Sequence, residues 1–265
     1  MKKAILLALG AILLPTVGFA VDGVVLINQS TVMAAGGFPY TISQPGSYKL
    51  SGNLVVPNLN TTAIRIATDF VTIDMAGFSI IGPNDCSGGT CQSGSGDGID
   101  TLANHVYFNL TIRNGTIQGM GRSGLYLWGD SMIVEYVHAR SNGFDGIFIG
   151  RFDLSGVEAT LTTVQYCDAE LNQNGITAEG GHISHSNGSR NRLAGIRFGP
   201  GLLDYNVASH NGVWGVFFLD TVDAASYLGN VFKDNGSDNI ALGSGAAVNM
   251  GQNLCGNTKC PGALY

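Results

Sequence analysis

The stretch Asn191-Arg-Leu-Ala-Gly-Ile-Arg-Phe198 returns twenty residues later as Asn211-Gly-Val-Trp-Gly-Val-Phe-Phe218. It also occurs as Asn142-Gly-Phe-Asp-Gly-Ile-Phe-Ile149 and Asn235-Gly-Ser-Asp-Asn-Ile-Ala-Leu242. Working outward, looser copies of its second half are Ala63-Ile-Arg-Ile66, Gly98-Ile-Asp-Thr101, Gly124-Leu-Tyr-Leu127 and Gly175-Ile-Thr-Ala178. From Gly98 on, the small residues are 26, 22, 29, 20, 20 and 24 positions apart. Upstream of the Asn markers lie two more matched sets. Val137, Cys167, Ser186, Asn206 and Asn230 form one; Val134, Val164, Ile183, Leu203 and Tyr227 form the other. Each repeat therefore holds several short strands, and self-similarity at this period marks a solenoid.

No amphipathic helical pattern separates the strands, so βαβ units are excluded. Stacking each repeat on the next pairs the backbone in parallel sheets and buries one continuous core. The expected fold is all-β, a single right-handed parallel β-helix of about eight coils. A sandwich or propeller would need antiparallel hairpin turns and gives the columns of matched residues no reason to exist. Asn at a fixed position suits a stack of identical turns, because it tolerates left-handed backbone and bonds its own turn.

Residues 1–20 read as a secretory signal: Lys2 and Lys3, an apolar run from Ala4 to Leu14, then Gly18-Phe19-Ala20 before a cleavage point. The apolar run is too short to span a bilayer and ends at Pro15, so the mature chain is expected to carry no transmembrane segment and to be secreted or periplasmic. Residues 21–56 are expected to form an N-terminal cap and the first strands, with a short helix from Ser30-Thr31 through Ala35. Residues 57–250 form the coils, with a Gly/Ser-rich loop at 82–96, and residues 251–265 the C-terminal cap. Only 12% of residues are charged and 39 are Gly, a composition for strands and tight turns rather than helices. Loss of Lys2 and Lys3 takes the formal charge from −6 to −8, and no basic run is present, so nucleic acid is not an expected partner. The chain is expected to be a monomer.

Cys86 to Cys91 and Cys255 to Cys260 are two matching local pairs. In an exported protein they predict the disulfides Cys86–Cys91 and Cys255–Cys260. A four-thiolate zinc site would need the pairs to meet, which an extended stack prevents. Cys167 falls among small interior residues. His185 shares a column with Tyr136, Tyr166 and Tyr205, and two His at 182 and 185 make no metal site without a third ligand.

In the recurring strand, the residue between the two inward aliphatics points outward. Stacking the repeats gives an outward column of Arg65, Asp100, Tyr126, Phe148, Thr177, Arg197, Phe217 and Ala241, flanked by Trp128 and Trp214. Aromatic rings suit pyranose C–H surfaces, and a guanidinium suits a uronate carboxylate. Arg65, Asp100, Tyr126, Trp128, Phe148, Arg197 and Phe217 are thus the substrate-binding candidates. The rival arrangement covers these rings with a loop, either 82–96 or 150–163.

The repeat resembles that of the pectin-lyase-like superfamily, which includes pectate lyases, polygalacturonases, alginate epimerases, NosD-type periplasmic proteins and phage tailspikes. Val71-Thr-Ile-Asp-Met-Ala-Gly-Phe-Ser-Ile80 and Leu110-Thr-Ile-Arg-Asn-Gly-Thr-Ile117 are similar to that family's early coils. The resemblance covers residues 45–250 and implies the fold and a substrate lying along an outward strand face. The polygalacturonase signatures, the Asp-Pro-His-Asp phrase of epimerases and the Trp-Ile-Asp-His phrase of pectate lyases are absent, so no catalytic set carries over. If the chain is a lyase, Arg197 is the candidate proton acceptor, with Ca²⁺ acidifying the C–H bond; otherwise no cofactor is expected. Arg197 equally suits a surface side chain shading apolar neighbours. The expected function is binding, and in the enzymatic case processing, of extracellular polysaccharide. The competing expectation is a noncatalytic structural or adhesive rod. Mass spectrometry of the exported protein should find Val21 as its first residue; an intact leader would overturn the signal reading.

Overall fold

The computed structural model describes residues 23–86, 90–102, 105–150, 162–219, 225–243, 246–256, 258–260 and 263–264. The expected signal at 1–20 and most of the 150–163 loop lie outside them. Apart from a C-terminal hairpin region, every strand pairing is parallel. The chain is a right-handed parallel β-helix with an almost wholly β composition.

Its recurring phrase supplies one sheet, in the order Tyr40–Ile42, Ile64–Ile66, Ile99–Thr101, Leu125–Asp130, Asp145–Gly150, Asn174–Ala178, Ala194–Phe198, Trp214–Phe218 and Asp238–Leu242. Tyr40–Ile42 adds one coil ahead of Arg65. The upstream columns supply the other sheet, which bends sharply within each coil. In Thr111–Gln118 and Ile133–Arg140 the bend falls at Asn114 and Tyr136, both with φ near +60° (60° and 54°). In later coils the same corner is Tyr166, His185 and Tyr205, all with positive φ. Tyr136, Tyr166, His185 and Tyr205 stack there with centroids 5.1, 5.2 and 5.3 Å apart. Inside, Ile64, Ile99, Leu125, Ile147, Ile176, Ile196 and Val216 form one fully buried file.

The Asn residues act differently from the expectation. Asn142, Asn172, Asn191 and Asn211 are not themselves left-handed; the residue before each is. Each Asn turns inward, is buried, and bonds across coils; Asn191 also keeps a bond within its own turn, from Nδ2 to Ser189 C=O at 3.2 Å. The Oδ1 of Asn172, Asn191, Asn211 and Asn235 accepts from the backbone N–H of Asn142, Asn172, Asn191 and Asn211, at 2.9, 3.0, 2.9 and 3.0 Å. A second ladder, Ser186–Asn206–Asn230–Asn253, repeats the pattern at the aromatic corner at 2.9, 2.9 and 2.8 Å. Cys167 precedes this second file. It is buried, unpaired, and its thiol is pushed up to about 12 by burial.

At the ends, Gln29–Ala34 forms a short helix capped by Asn28, whose Oδ1 accepts from Thr31 N–H while the Thr31 hydroxyl accepts from Asn28 N–H. The Leu254–Cys255 and Thr258–Lys259 strands make an antiparallel hairpin. Disulfides join Cys86 to Cys91 and Cys255 to Cys260.

Asn191→Ala should remove an acceptor from Asn172 N–H and a donor to Ala169 C=O in a dry corner. Two orphaned backbone groups cost about 2–5 kcal/mol together. The urea midpoint should fall accordingly, and a midpoint equal to wild type would refute the ladder's structural weight.

Candidate functional site

The outward column forms in the expected register. Arg65 pairs Asp100, Asp100 pairs Tyr126, Tyr126 pairs Phe148, Phe148 pairs Thr177, Thr177 pairs Arg197, and Arg197 pairs Phe217. The described part of the 82–96 loop does not cover it. Gly94 and Gly96 instead hydrogen-bond to the turn backbone of Gly121 and Leu59 at 2.7 and 2.9 Å.

The N-terminal half of this face is electrically closed on itself. Arg65 grips Asp100 through two bonds of 2.9 and 2.6 Å, so these two candidates occupy each other. Arg122 does the same to the buried Asp97 and lies 3.8 Å above the Tyr126 ring. Burial pushes the Asp97 carboxyl up, against the Arg122 bonds that hold it down.

The middle is apolar. Tyr126 and Phe148 stack at 4.8 Å with an 18° tilt, and Trp128 leans on Phe148 at 5.3 Å. Gly150 sits beside Trp128 in the register because a Cβ there would lie 2.7 Å from the indole. The rings stack on one another, so they offer edges rather than open faces. Together they make a partly exposed rail along the stack.

Beyond the rail lies an uncompensated cation. Among the described residues, Arg197 makes neither an ion pair nor a hydrogen bond; its guanidinium sits 5.9 Å from the Phe217 ring centre. Trp214 packs against Phe217 at 4.8 Å. The Arg197 charge acts on Asp145, a residue outside the outward column. Asp145 belongs to a second outward file, the residue just before each small one: Ser123, Asp145, Asn174, Ala194 and Trp214. That file is legible in the repeat, because it holds the position just before the small residue in each coil.

Asp145 is 1% exposed. Its Oδ1 accepts from Asn174 Nδ2 at 2.7 Å, while Oδ2 has no hydrogen-bond partner among the described residues. Ser123 Oγ, one coil before, is likewise buried and without a partner among the described residues, and Thr177 Oγ1, one coil after, is buried close enough to Asp145 to act on its carboxyl. Burial raises the Asp145 carboxyl to about 6; the Asn174 bond, the Arg197 charge and the nearby Thr177 hydroxyl oppose the rise. Because Asp145 is covered, it acts on the face through Arg197 and Thr177 rather than by direct contact with a ligand. His182 is held by Asp204 at 2.7 Å on the other sheet. Among the described residues, no three His, Cys, Asp or Glu side chains converge as a metal site.

An acid whose folded value exceeds its ordinary 3.8 favours the folded state while protonated. That support is complete below about pH 4 and is lost as pH rises through about 6, costing up to about 3 kcal/mol in alkaline solution. Asp145→Asn should therefore be more stable than wild type at pH 8 and equal to it near pH 4. A variant with the same stability offset at both pH values would contradict the buried titration.

No protein-family model and no curated protein sequence matches the chain. Among solved structures, the periplasmic alginate epimerase AlgG superposes with a TM-score of 0.60 at 17% identity. A double mutant of AlgG superposes with a TM-score of 0.58 at 16% identity. Each alignment covers 87% of this chain but only 55% and 54% of the other, so the chain spans about half the length of these neighbours. At these identities the likeness is one of fold, and it places this chain among parallel β-helices. No helix among the described residues is long and apolar enough to cross a membrane.

Proposed function

We propose that the chain is an exported protein that binds acidic polysaccharide along the outer face of the sheet running from Tyr40–Ile42 to Asp238–Leu242. The observation that carries this reading is Arg197, an unpaired guanidinium at the end of an apolar rail, backed by a buried carboxylate. A uronate carboxylate would pair with the guanidinium fork, and the sugar would lie against the partly exposed Tyr126, Phe148 and Trp128 side chains. The buried Ser123 and Thr177 side chains lie in the same coils. The AlgG neighbours, periplasmic by name and acting on alginate, are consistent with this substrate class and with export. Arg65 and Asp100 extend the track only as a neutral pair.

Asp145 gives the binding a pH dependence. Above about pH 6 its charge offsets that of Arg197; below, Arg197 acts alone. Oligouronate binding, followed by calorimetry, should tighten as pH falls through 6, and Asp145→Asn should show the acid-side affinity throughout. Loss of a charge-assisted contact of about 1.5–3 kcal/mol predicts that Arg197→Ala weakens binding by roughly tenfold to a hundredfold. Phe148→Ala should weaken it less. Unchanged affinity in both variants would return the face to a purely structural role. Mixing with uronate polymers while watching ultraviolet absorbance tests whether binding leads to lyase chemistry; a flat trace leaves a binding protein.

A further inference from the structure

A second charged surface lies at the other corner of the coils, away from the aromatic rail. Each coil places a left-handed residue there: Ser141, Leu171, Arg190, His210 and Asp234, with φ between 55° and 58°. Beside this file is a cavity of about 460 Å³. Asp85, Cys86, Thr90, Cys91 and Ser93 form one wall, with the two disulfide sulfurs 3.2 and 3.3 Å from the carbonyl oxygens of Ser141 and Leu171. Arg140, Arg190, Arg192 and His210 line the rest, with Asp85 as a single carboxylate on the lining.

Arg192 stands where other coils need glycine. Gly121, Gly143, Gly212 and Gly236 occupy this turn position, and a Cβ there would lie 1.9–2.2 Å from a carbonyl oxygen of the preceding coil (1.9, 2.2, 2.2 and 2.0 Å). The coil before Arg192 is one residue shorter between Asn172 and Gly175, and this gap admits a side chain. The Arg192 guanidinium reaches back to Gln173 Oε1 at 2.6 Å, a neutral partner. Arg140 has no ion pair or hydrogen bond among the described residues. Arg190 is shared with Glu170 at 2.5 Å, and His210 lies 3.7 Å from Asp234.

We propose that this cavity is a second binding site, for an oligomeric anionic saccharide carrying carboxylate or sulfate groups. Three of the chain's eight arginines gather here although the chain is acidic overall, at −6. Their placement selects an oligomer over a single ion. Arg140 and His210 are three coils apart, about 14 Å at roughly 4.8 Å per coil, too far for one phosphate to bridge. A polymer with one anion per sugar can meet Arg140, Arg190, Arg192 and His210 in succession. Guanidinium forks fit carboxylate and sulfate oxygens in pairs. The site does not depend on the rail face, since it shares no residue with it.

The test is calorimetric titration of wild type, Arg140→Ala/Arg192→Ala and Arg197→Ala with an oligouronate, a heparin-derived oligosaccharide and inorganic phosphate. The cavity's three arginines and His210 are all exposed, so the double variant should melt with wild type and report binding alone. The expected result is a salt-sensitive oligosaccharide site that weakens at least roughly tenfold in the double variant and persists in Arg197→Ala. Phosphate should bind far more weakly than either oligomer. Wild-type affinity in the double variant, loss of all binding in Arg197→Ala, phosphate binding as tight as the oligomers, or no oligomer binding by wild type would each overturn the proposal.

Discussion

Two files of buried side chains, mostly Asn amides, tie two of the corners of the later coils to the next coil. A parallel β-helix must turn sharply three times per coil, and each sharp corner is made by a residue at positive φ. The backbone N–H after such a corner faces the dry interior, where an unpaired donor is costly. Asn at that position solves the problem for its neighbour: its Oδ1 accepts from the preceding coil, as Asn191 does from Asn172 at 3.0 Å. Its Nδ2 donates to an inner carbonyl, as Asn191 does to Ala169 at 2.9 Å. The ladders thereby hold the sheets in register without relying on apolar packing, which is non-directional and would tolerate slippage.

Fixed corners give the outer surface its regularity, and the candidate sites lie where that regularity fails. Along the outward column, Arg65–Asp100 and Arg122–Asp97 neutralise themselves. Three coils beyond Arg122, Arg197 faces a covered carboxylate and an aromatic ring. An uncompensated charge at a partly buried position is unfavourable for the isolated protein, and an arriving anion relieves it. At the opposite corner a one-residue deletion in the coil after Cys167 makes room for Arg192. In both places a guanidinium lacks a direct ion pair with a carboxylate among the described residues.

Apolar stacking on this surface has two forms with different consequences. Tyr136, Tyr166, His185 and Tyr205 stack face on face at a corner, and His185 is thereby an aromatic spacer rather than a ligand. Tyr126, Phe148 and Trp128 combine stacking with a tilted ring beside Gly150, which leaves a broader, uneven track. The track lies next to the unpaired Arg197 while the corner ladder does not, and this separates a candidate surface from a structural one.

The sequence by itself determined the parallel β-helix, the outward column from Arg65 to Phe217 and both disulfides. Each follows from repetition or short spacing, and a strict repeat transmits its register to every coil. The inward position of Cys167 and the stacking of His185 were legible for the same reason. Sequence alone did not show that Arg65 and Asp100 consume each other, that the Asn residues bridge coils, or that Asp145 lies buried beneath Arg197. These depend on side-chain direction and on contacts between residues 20 to 35 positions apart. Only the tertiary structure decided them, because charge pairing and desolvation are set by neighbours in space, and a column of residue names does not carry the distances.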